Sequence, residues 1–466
     1  MASNALPRPD ELVDPGIPDT LSADASRGRS MAEWTVQSGS WAWAGPRWRT
    51  NSSAATDPVG GNVAFTGSAS PVHDPGTLIQ TAFVSTYPPR RCGIAAFTYD
   101  LAAVAGWGEI VALSPPDHES LYPPEVHHRI RRDKAGDYAS TARALTHCGI
   151  DVVSIQHEYG IWGGADGEHV LDFVQALEIP AVATLHTVLR HPTPRQRRIL
   201  VALVGATAAT VVMSRAAAAL LTRAYGIDPS RVDVIPHGVH DLPLVDSETM
   251  KPGLGLGGHA VILSFGLLGR GKGYEVAIEA MPTVVAAIPN ARYVVLGASH
   301  PELLRHEGET YRRRLVERVG TLGLADHVQF VDRFLSQVEL SRWLGAADVF
   351  VTPYPNLDQI VSGTLAYAMG AGKAIVSTPY AYAAELLAEG RGILVPPGSS
   401  SALAAAFIAL LRDSNRRAEL GARAYGYSRA MIWPEVGNAY RRLFARIAAR
   451  PAVAEGLAAV LAATSV

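Results

Sequence analysis

Two sets of short apolar runs, separated by longer helical stretches, dominate the sequence from residue 80 onward. The runs of the first set are residues 81–86, 110–113, 151–156, 181–185, 210–213 and 232–235. The runs of the second set are residues 260–265, 293–297, 328–331, 349–352, 374–377 and 393–395. Apolar runs this short, alternating with helices, predict parallel sheets that are covered by helices on both faces. The sequence therefore predicts an α/β fold with two doubly wound, Rossmann-like domains.

Composition divides the chain around these two sets. The first 77 residues are rich in Ser, Ala, Gly, Pro and Asp without sustained periodicity, which predicts a disordered or loosely packed leader. The Pro- and Gly-rich segment 241–258 is typical of a linker. The predicted segments are a leader at 1–77, an N-terminal domain at 78–245, a C-terminal domain at 246–432, an amphipathic helix at 433–450 and a tail at 451–466.

Composition also excludes several classes of protein. The 41 Lys and Arg nearly balance the 43 Asp and Glu, so no global positive field would attract nucleic acid. The two cysteines lack metal-ligand spacing, so we expect neither a zinc site nor a disulfide framework. No apolar run approaches the roughly 18 residues of a spanning helix, and the N-terminus lacks the apolar segment of a signal peptide. We expect a cytoplasmic protein without a transmembrane segment, for which peripheral membrane contact stays open.

The loop after the run 260–265 has the pattern of a phosphate-binding turn. Its sequence, GLLGRGKG at 266–273, precedes a helical pattern. Backbone N–H groups and a helix N-terminus attract an anion there, and Lys272 adds a full charge. The spacing also fits a P-loop, but Gly273 stands where a magnesium-binding Ser or Thr is needed. A glycine-rich turn with an exposed lysine is the plainer alternative. The candidate residues of this loop are Gly266, Arg270, Gly271 and Lys272.

A second anion-binding pattern follows the run 349–352. Ser362 has a side chain that caps helices, and Gly363 and Thr364 would offer backbone N–H groups at the helix start. Two anion sites in one domain suit a diphosphate, whose charge must be held while it leaves. An ordinary serine-capped helix would have the same sequence.

The loops of the first domain carry polar and aromatic residues where its strands are expected to end. In open parallel sheets, ligands bind beyond the carboxyl ends of the strands. Gly93 would allow a ligand to approach the backbone closely. His186 ends the fourth run, where a structural histidine is the equal alternative. The third run leads into side chains suited to sugars, which are His157, Glu158, Tyr159 and Trp162.

From about residue 82 to residue 444, the sequence resembles the retaining, family 4-type glycosyltransferases with the GT-B fold. The segments that carry this resemblance are 265–266 with Lys272-Gly273, DRF at 332–334, ADV at 347–349, AMGAGKAIV at 368–376, and GILVP at 392–396 after Glu385. The resemblance implies that the second domain binds a sugar nucleotide and the first binds the acceptor. It also implies that the helix at 433–450 crosses back onto the first domain.

The resemblance assigns roles to individual residues. Lys272 matches the lysine that grips the diphosphate, and His186 matches a histidine that contacts the transferred sugar. Phe334 and Leu335 fall where the base is usually held. The N–H groups of Gly363 and Thr364 would bind the distal phosphate.

Two departures from the family pattern concern the donor site. Leu267 stands where the family usually has an arginine, although Arg270 would reach the same phosphates from another angle. Gln359 and Tyr367 stand where the family usually has a pair of glutamates, the second of which holds ribose hydroxyls. Tyr367 would donate to one hydroxyl but offers no carboxylate.

These features together predict a retaining hexosyltransferase. It would move mannose or glucose from GDP-mannose or UDP-glucose to a hydroxyl of a glycan, a lipid or a small molecule. Lys272, Arg270 and the helix start would stabilise the leaving diphosphate, and Glu158 is the candidate for a first-domain carboxylate that assists. No metal or tightly bound cofactor is expected, and the sequence does not indicate the oligomeric state. The alternatives are a non-catalytic sugar-nucleotide-binding protein, a sugar-nucleotide epimerase or a P-loop-type NTPase.

Overall fold

The computed structural model describes residues 79–106, 108–115 and 122–449. The predicted leader and tail lie outside the described residues. Two parallel sheets covered by helices confirm the predicted α/β fold of GT-B type. We call each sheet with its helices a lobe, N-terminal or C-terminal according to chain order.

The sheet of the N-terminal lobe contains seven parallel strands among the described residues. These are β1 (Thr81–Ser85), β2 (Glu109–Ser114), β3 (Val126–Arg131), β4 (Val152–His157), β5 (Ala181–Leu185), β6 (Ala209–Val212) and β7 (Val232–Val234). Their order is β3-β2-β1-β4-β5-β6-β7. The strands β1, β4, β5 and β6 are buried along their whole length, which is why each appears as a continuous apolar run.

The helices of this lobe cover both faces of the sheet and enclose two apolar cores. They are α1 (Gly93–Ala105), α2 (Ala135–Thr146), α3 (His169–Gln175), α4 (Pro194–Ala206) and α5 (Arg215–Leu220). Local sequence sets where they begin. For example, α4 begins with a capping box in which the Gln196 N–H donates to Thr193 Oγ1 over 3.2 Å and the Thr193 N–H donates to Gln196 Oε1 over 3.0 Å.

The sheet of the C-terminal lobe contains six parallel strands among the described residues. These are β8 (Ala260–Phe265), β9 (Ala291–Leu296), β10 (Val328–Val331), β11 (Val349–Thr352), β12 (Ala374–Ser377) and β13 (Ile393–Leu394). Their order is β10-β9-β8-β11-β12-β13. The helices from the linker through this lobe are α6 (Ser247–Met250), α7 (Tyr274–Ala287), α8 (Pro301–Glu307), α9 (Thr310–Thr321), α10 (Gln337–Ala346), α11 (Gly363–Gly370), α12 (Ala381–Leu386), α13 (Ser400–Arg412) and α14 (Ser414–Ser428).

The last described helix, α15 (Trp433–Ala448), returns to the N-terminal lobe. Its apolar face packs against the first sheet, where the Tyr440 hydroxyl lies 3.0 Å from Thr184 Oγ1. The chain therefore crosses between the lobes twice, and the two crossings lie side by side. The Val239 N–H donates to the Met431 carbonyl over 2.8 Å, and the Trp433 N–H donates to the Val239 carbonyl over 2.9 Å.

Two further findings concern membrane-spanning helices and metal sites. Among the described residues, no helix combines the length and apolar character that crossing a membrane requires. The same residues contain no group of three or more His, Cys, Asp or Glu arranged to hold a metal ion.

Candidate active site at the carboxyl ends of the strands

Two glycines bring the predicted anion-binding segments together. Gly273, at φ +68°, lies so close to the loop after β11 that an added Cβ would be 2.0 Å from the Pro353 carbonyl oxygen. Gly266, at φ +131°, lies beside Thr364, whose methyl would be 3.3 Å from an added Cβ. Glycine is the residue that tolerates this conformation and this approach together. The loop after β8 and the loop after β11 therefore form one surface at the carboxyl ends of the strands.

The ammonium of Lys272 lies at this junction. Its Nζ is 4.3 Å from the centroid of the Tyr354 ring, and no carboxylate of the described residues forms an ion pair with it. The short 3-10 turn Arg270–Lys272 that carries it ends directly before α7. An ammonium without a carboxylate partner beside a helix N-terminus attracts anions. This position fits the phosphate role predicted for Lys272.

The start of α11 forms the second half of the candidate anion-binding surface. Ser362 Oγ accepts a hydrogen bond from the Leu365 N–H over 3.3 Å and lies 3.0 Å from Thr364 Oγ1. Thr364 Oγ1 lies 2.8 Å from the Tyr354 hydroxyl. The predicted cap is therefore present. These hydroxyls also connect the helix start to the tyrosine that Lys272 contacts.

Arg270 points to a different neighbour. Its guanidinium forms a two-point ion pair with Glu307, with Nε 3.2 Å from Oε1, and lies 5.5 Å from the centre of the Tyr311 ring. The hydrogen bond from Arg270 lowers the pKa of Glu307. This guanidinium is thus engaged by α8 and α9 in the structure, and its role toward a phosphate stays a prediction.

Three buried histidines lie near the carboxyl ends of the first sheet. His186 Nε2 is 2.9 Å from Gln156 Oε1, and neither ring nitrogen of His157 has a hydrogen-bond partner. Burial, reinforced by the neighbouring imidazoles, lowers the pKa of His186 to about 3. Burial also lowers the pKa values of His157 and His237 to about 4. At neutral pH these side chains are therefore neutral rings.

His237 connects the two lobes at this site. Its ring lies 5.1 Å from that of Phe97, which is also 5.0 Å from His186. On its other side, Nε2 would lie 2.9 Å from a Cβ added at Gly363. His186, the predicted sugar-contacting histidine, is thus linked to the start of α11 through the rings of Phe97 and His237.

Glu158 is fixed beside His186 by its own hydrogen bonds. Oε1 accepts from the Gly160 N–H over 3.1 Å, and Oε2 accepts from the Thr187 hydroxyl over 2.5 Å. Thr187 directly follows His186, so this hydrogen bond joins the loop after β4 to the loop after β5 within the N-terminal lobe. Sequence reasoning selected Glu158 but not the threonine that orients it.

The aromatic acceptor candidates are mostly inside the N-terminal lobe. Trp162 is 2% exposed, and its Nε1 donates to the Gln156 carbonyl over 3.1 Å. Tyr159 donates from its hydroxyl to the Gln196 carbonyl over 3.3 Å. Beside both lies an open cavity of about 350 Å³, lined also by Arg132 and Asp166. The structure gives Trp162 a place in the core, and its contact with an acceptor remains a prediction.

The other predicted donor residues occupy varied surroundings. Phe334, which is 44% exposed, and Leu335 form the loop directly before α10. Gln359 donates from its side chain to the Val361 carbonyl over 2.8 Å. Positions Gly93 and Gly271 are uncrowded, because an added Cβ would meet nothing within 4 Å. The contacts of these residues with a donor stay predictions.

Tyr367 belongs to a partly buried cluster that the sequence did not predict. Its ring stacks on His240, with centroids 5.4 Å apart, and His240 Nε2 is 3.5 Å from Asp100 Oδ2. Burial raises the pKa of Asp100 to about 7, although the neighbouring Tyr367 and Trp433 oppose that rise. The signal in the sequence was a single acidic residue within the apolar helix GIAAFTYDLAAVA.

Two family patterns match separate parts of the chain. Residues 109–241 match the family described as Glycosyltransferase Family 4, and residues 259–413 match Glycosyl transferases group 1. A D-inositol 3-phosphate glycosyltransferase of Xylanimonas cellulosilytica is 30% identical over 295 residues, which cover 59% of this chain and 68% of that protein. The chain belongs to the family 4 glycosyltransferases.

Other curated relatives also match over about half or more of the chain. A phosphatidyl-myo-inositol mannosyltransferase of Mycolicibacterium smegmatis is 28% identical, covering 58% of this chain and 66% of that protein. The chain spans 53% of the length of a further curated relative. Among solved structures, the HepE protein of Anabaena in complex with UDP has a TM-score of 0.65 at 16% identity, covering 79% of this chain and 100% of that one. This structural likeness shows a shared fold.

Proposed function

We propose that this chain is a retaining hexosyltransferase that moves mannose or glucose from a nucleotide-diphosphate sugar to a hydroxyl acceptor. The observation that carries the proposal is the ammonium of Lys272, which has no carboxylate partner among the described residues. It lies beside the starts of α7 and α11, where backbone N–H groups add positive potential. Membership of family 4 supports the same activity.

The leaving group would be held by fixed positive charge. When the bond between the anomeric carbon and the phosphate oxygen breaks, the diphosphate gains negative charge. Lys272 and the N–H groups of Gly363 and Thr364 would stabilise that charge without reorganising, and such preorganised stabilisation is often the largest catalytic contribution. A metal ion is not needed for this role when cationic side chains and helix dipoles supply it.

The acceptor hydroxyl would attack on the face from which the diphosphate leaves. The new glycosidic bond forms as the sugar–phosphate bond breaks, and the hydroxyl proton passes to a phosphate oxygen of the leaving diphosphate. Neutral His186 would contact the sugar, with Gln156 orienting its ring over 2.9 Å. Both oxygens of Glu158 accept hydrogen bonds from the chain, which suits this carboxylate to orient an acceptor hydroxyl.

The donor is proposed as GDP-mannose or UDP-glucose. The mannosyltransferase named among the relatives supports the first, and a HepE complex with UDP-glucose supports the second. A thermal-shift panel of sugar nucleotides would separate them, because a ligand stabilises the folded state that it binds. A cytoplasmic location is proposed because both described cysteines are free thiols.

The direct test is the variant Lys272→Ala. We expect sugar transfer from a radiolabelled sugar nucleotide to fall by about 10²–10³-fold, the range typical of losing one group that stabilises developing negative charge. Lys134→Ala is the matched control, since Lys134 is exposed at the start of α2. Transfer by Lys272→Ala at the rate of the control would overturn the mechanism.

A second candidate is a protein that binds a sugar nucleotide without transferring the sugar. It is favoured by Tyr367, which stands where the family usually has a ribose-binding glutamate and stacks on His240. Calorimetry that detects nucleotide binding, together with no transfer to a broad set of acceptors, would support this alternative over the enzyme.

A further inference from the structure

Tyr354 is nearly fully buried at the point where the two anion-binding segments meet. It is 2% exposed and follows β11 within an irregular, proline-rich loop. Its backbone is fixed because its carbonyl accepts a hydrogen bond from the Thr378 hydroxyl over 2.6 Å. Its ring is fixed because it stacks on Tyr380, with centroids 5.1 Å apart and planes 19° apart.

This tyrosine contacts both predicted phosphate-binding elements. Its ring lies 4.3 Å from Lys272 Nζ, and its hydroxyl lies 2.8 Å from Thr364 Oγ1. Burial alone would raise the pKa of Tyr354, but the Lys272 ammonium and the hydroxyls of Thr364 and Ser362 outweigh it and lower the pKa. The side chain is therefore electrostatically linked to the ammonium as well as in contact with it.

We infer that Tyr354 is a positioning residue for the donor diphosphate. Its ring face holds the Lys272 ammonium, and its hydroxyl holds Thr364, so that the cation and the start of α11 keep a fixed separation. The inference rests on the proposed function and adds the residue that organises its anion site.

A fixed aromatic ring limits the conformational freedom of the lysine side chain. The ammonium sits on a flexible four-carbon stem and loses rotamer freedom whenever it is held in one place. The second cation of the family pattern is absent, because Leu267 occupies that position and Arg270 is paired with Glu307. A cation over an aromatic face is attracted by the negative face of the ring, and the half-buried Lys272 ammonium has such a face in the buried Tyr354.

The test compares two substitutions by their effect on diphosphate binding. Tyr354→Phe keeps the ring and loses the bond to Thr364, whereas Tyr354→Leu loses both. Calorimetry with inorganic pyrophosphate is expected to show about tenfold weaker binding for Tyr354→Leu, with Tyr354→Phe between it and the wild type. Binding of the nucleosides uridine and guanosine is expected to stay unchanged, because they carry no phosphate.

Tyr382→Leu controls for loss of a buried tyrosine in the same lobe, since Tyr382 is fully buried in the same apolar core as Tyr354 but lies on α12. If Tyr354→Leu and Tyr382→Leu bind pyrophosphate equally well while Lys272→Ala binds it poorly, the positioning role is wrong. If nucleoside and pyrophosphate affinities fall together, Tyr354 is merely structural and the inference is also overturned. A wild type that binds no pyrophosphate would instead overturn the proposed function.

Discussion

At the scale of single residues, Asp100 is an acidic side chain within an otherwise apolar helix. It projects from the apolar helix α1 into the cluster with His240, Tyr367 and Trp433. Burial raises its pKa to about 7, whereas an aspartate in an unfolded chain titrates near 4. Between these values the folded protein holds a proton that the unfolded chain has lost. This residue therefore makes the free energy of unfolding fall as the pH rises from about 4 to about 7.

The substitution Asp100→Asn removes this titration while keeping the side-chain shape. We expect the variant to gain stability relative to the wild type as the pH rises, by up to roughly 4 kcal/mol between pH 4 and pH 8. Urea denaturation of both proteins across that range measures the difference. Asp326→Asn serves as the control, because Asp326 is exposed. A constant difference between Asp100→Asn and the wild type would contradict the expectation.

Local sequence indicated some residues of the candidate site and did not indicate others, for a definable reason. Lys272 was selected as a candidate because the strand, the glycine-rich turn and the helix follow one another directly in the sequence. The whole pattern can therefore be read from one continuous segment. Arg270 was predicted to contact phosphates because it lies in the same glycine-rich turn. Its ion pair with Glu307 could not be foreseen, because Glu307 lies 37 residues away in the sequence. Tyr354 was missed because its neighbours Lys272 and Thr364 come from other segments. Pairings over such separations depend on the fold and have no local pattern.

At the scale of elements, a carboxylate of one lobe caps a helix of the other. The N–H groups of Arg215 and Ala216, at the start of α5, donate to Glu385 over 3.0 and 2.8 Å. Nearby, the Ser214 hydroxyl donates to the Ile360 carbonyl over 3.1 Å. Ile360 is 3% exposed and packs in the N-terminal core. The loop that leads into α11 is therefore ordered by contacts with the opposite lobe.

The substitution Glu385→Ala tests whether this cap supports donor binding. Removing a helix cap costs about 0.5–2 kcal/mol. We therefore expect the KM for the sugar nucleotide to rise about three- to tenfold, because the segment before Ser362 loses an anchor. Steady-state kinetics measures this change, with Glu419→Ala on the exposed surface of α14 as the control. Equal KM values for the two variants would remove the proposed link between the cap and the donor site.

The strands show how far periodicity predicts an element. The runs 181–185, 260–265, 328–331, 349–352 and 374–377 match observed strands at both ends, and the strands at 181–185, 349–352 and 374–377 are buried along their whole length. The strand β3 was not predicted. It lies at the edge of its sheet with Ile130 as its one buried residue, so that His127, Arg129 and Arg131 give it a polar sequence.

At the scale of the whole molecule, buried histidines should control stability in acid. Burial lowers the pKa values of His157, His237 and His240 to about 4, and that of His186 to about 3. An unfolded chain protonates histidine near pH 6.5. The unfolded state thus binds more protons between these values, and stability is lost as the pH falls through this window. Asp100 opposes the effect, but it is one group against four.

We expect the free energy of unfolding to fall between pH 7.5 and pH 5. Each histidine contributes up to about 1.4 kcal/mol per pH unit within its window. Urea midpoints at pH 7.5, 6.0 and 5.0 measure the trend. A midpoint that does not change over this range would show that these rings are protonated in the folded state.

The two sets of apolar runs were sufficient to predict two sheets. They were not sufficient to predict how the lobes meet, since the polar cluster around Asp100 and Tyr367 combines α1, the segment after β7, α11 and the start of α15. Four separate elements contribute to that cluster. Only their assembly in three dimensions gives the residues a shared environment.

The paired crossings at Val239 and Trp433 have a mechanical consequence. The two crossing segments lie side by side and are joined by hydrogen bonds. Such a pair resists sliding of one segment past the other, but it bends readily about the line along which the segments meet. Any opening of the enzyme should then follow a single angular coordinate. One distance between a spectroscopic label on each lobe would be enough to follow it through a catalytic cycle.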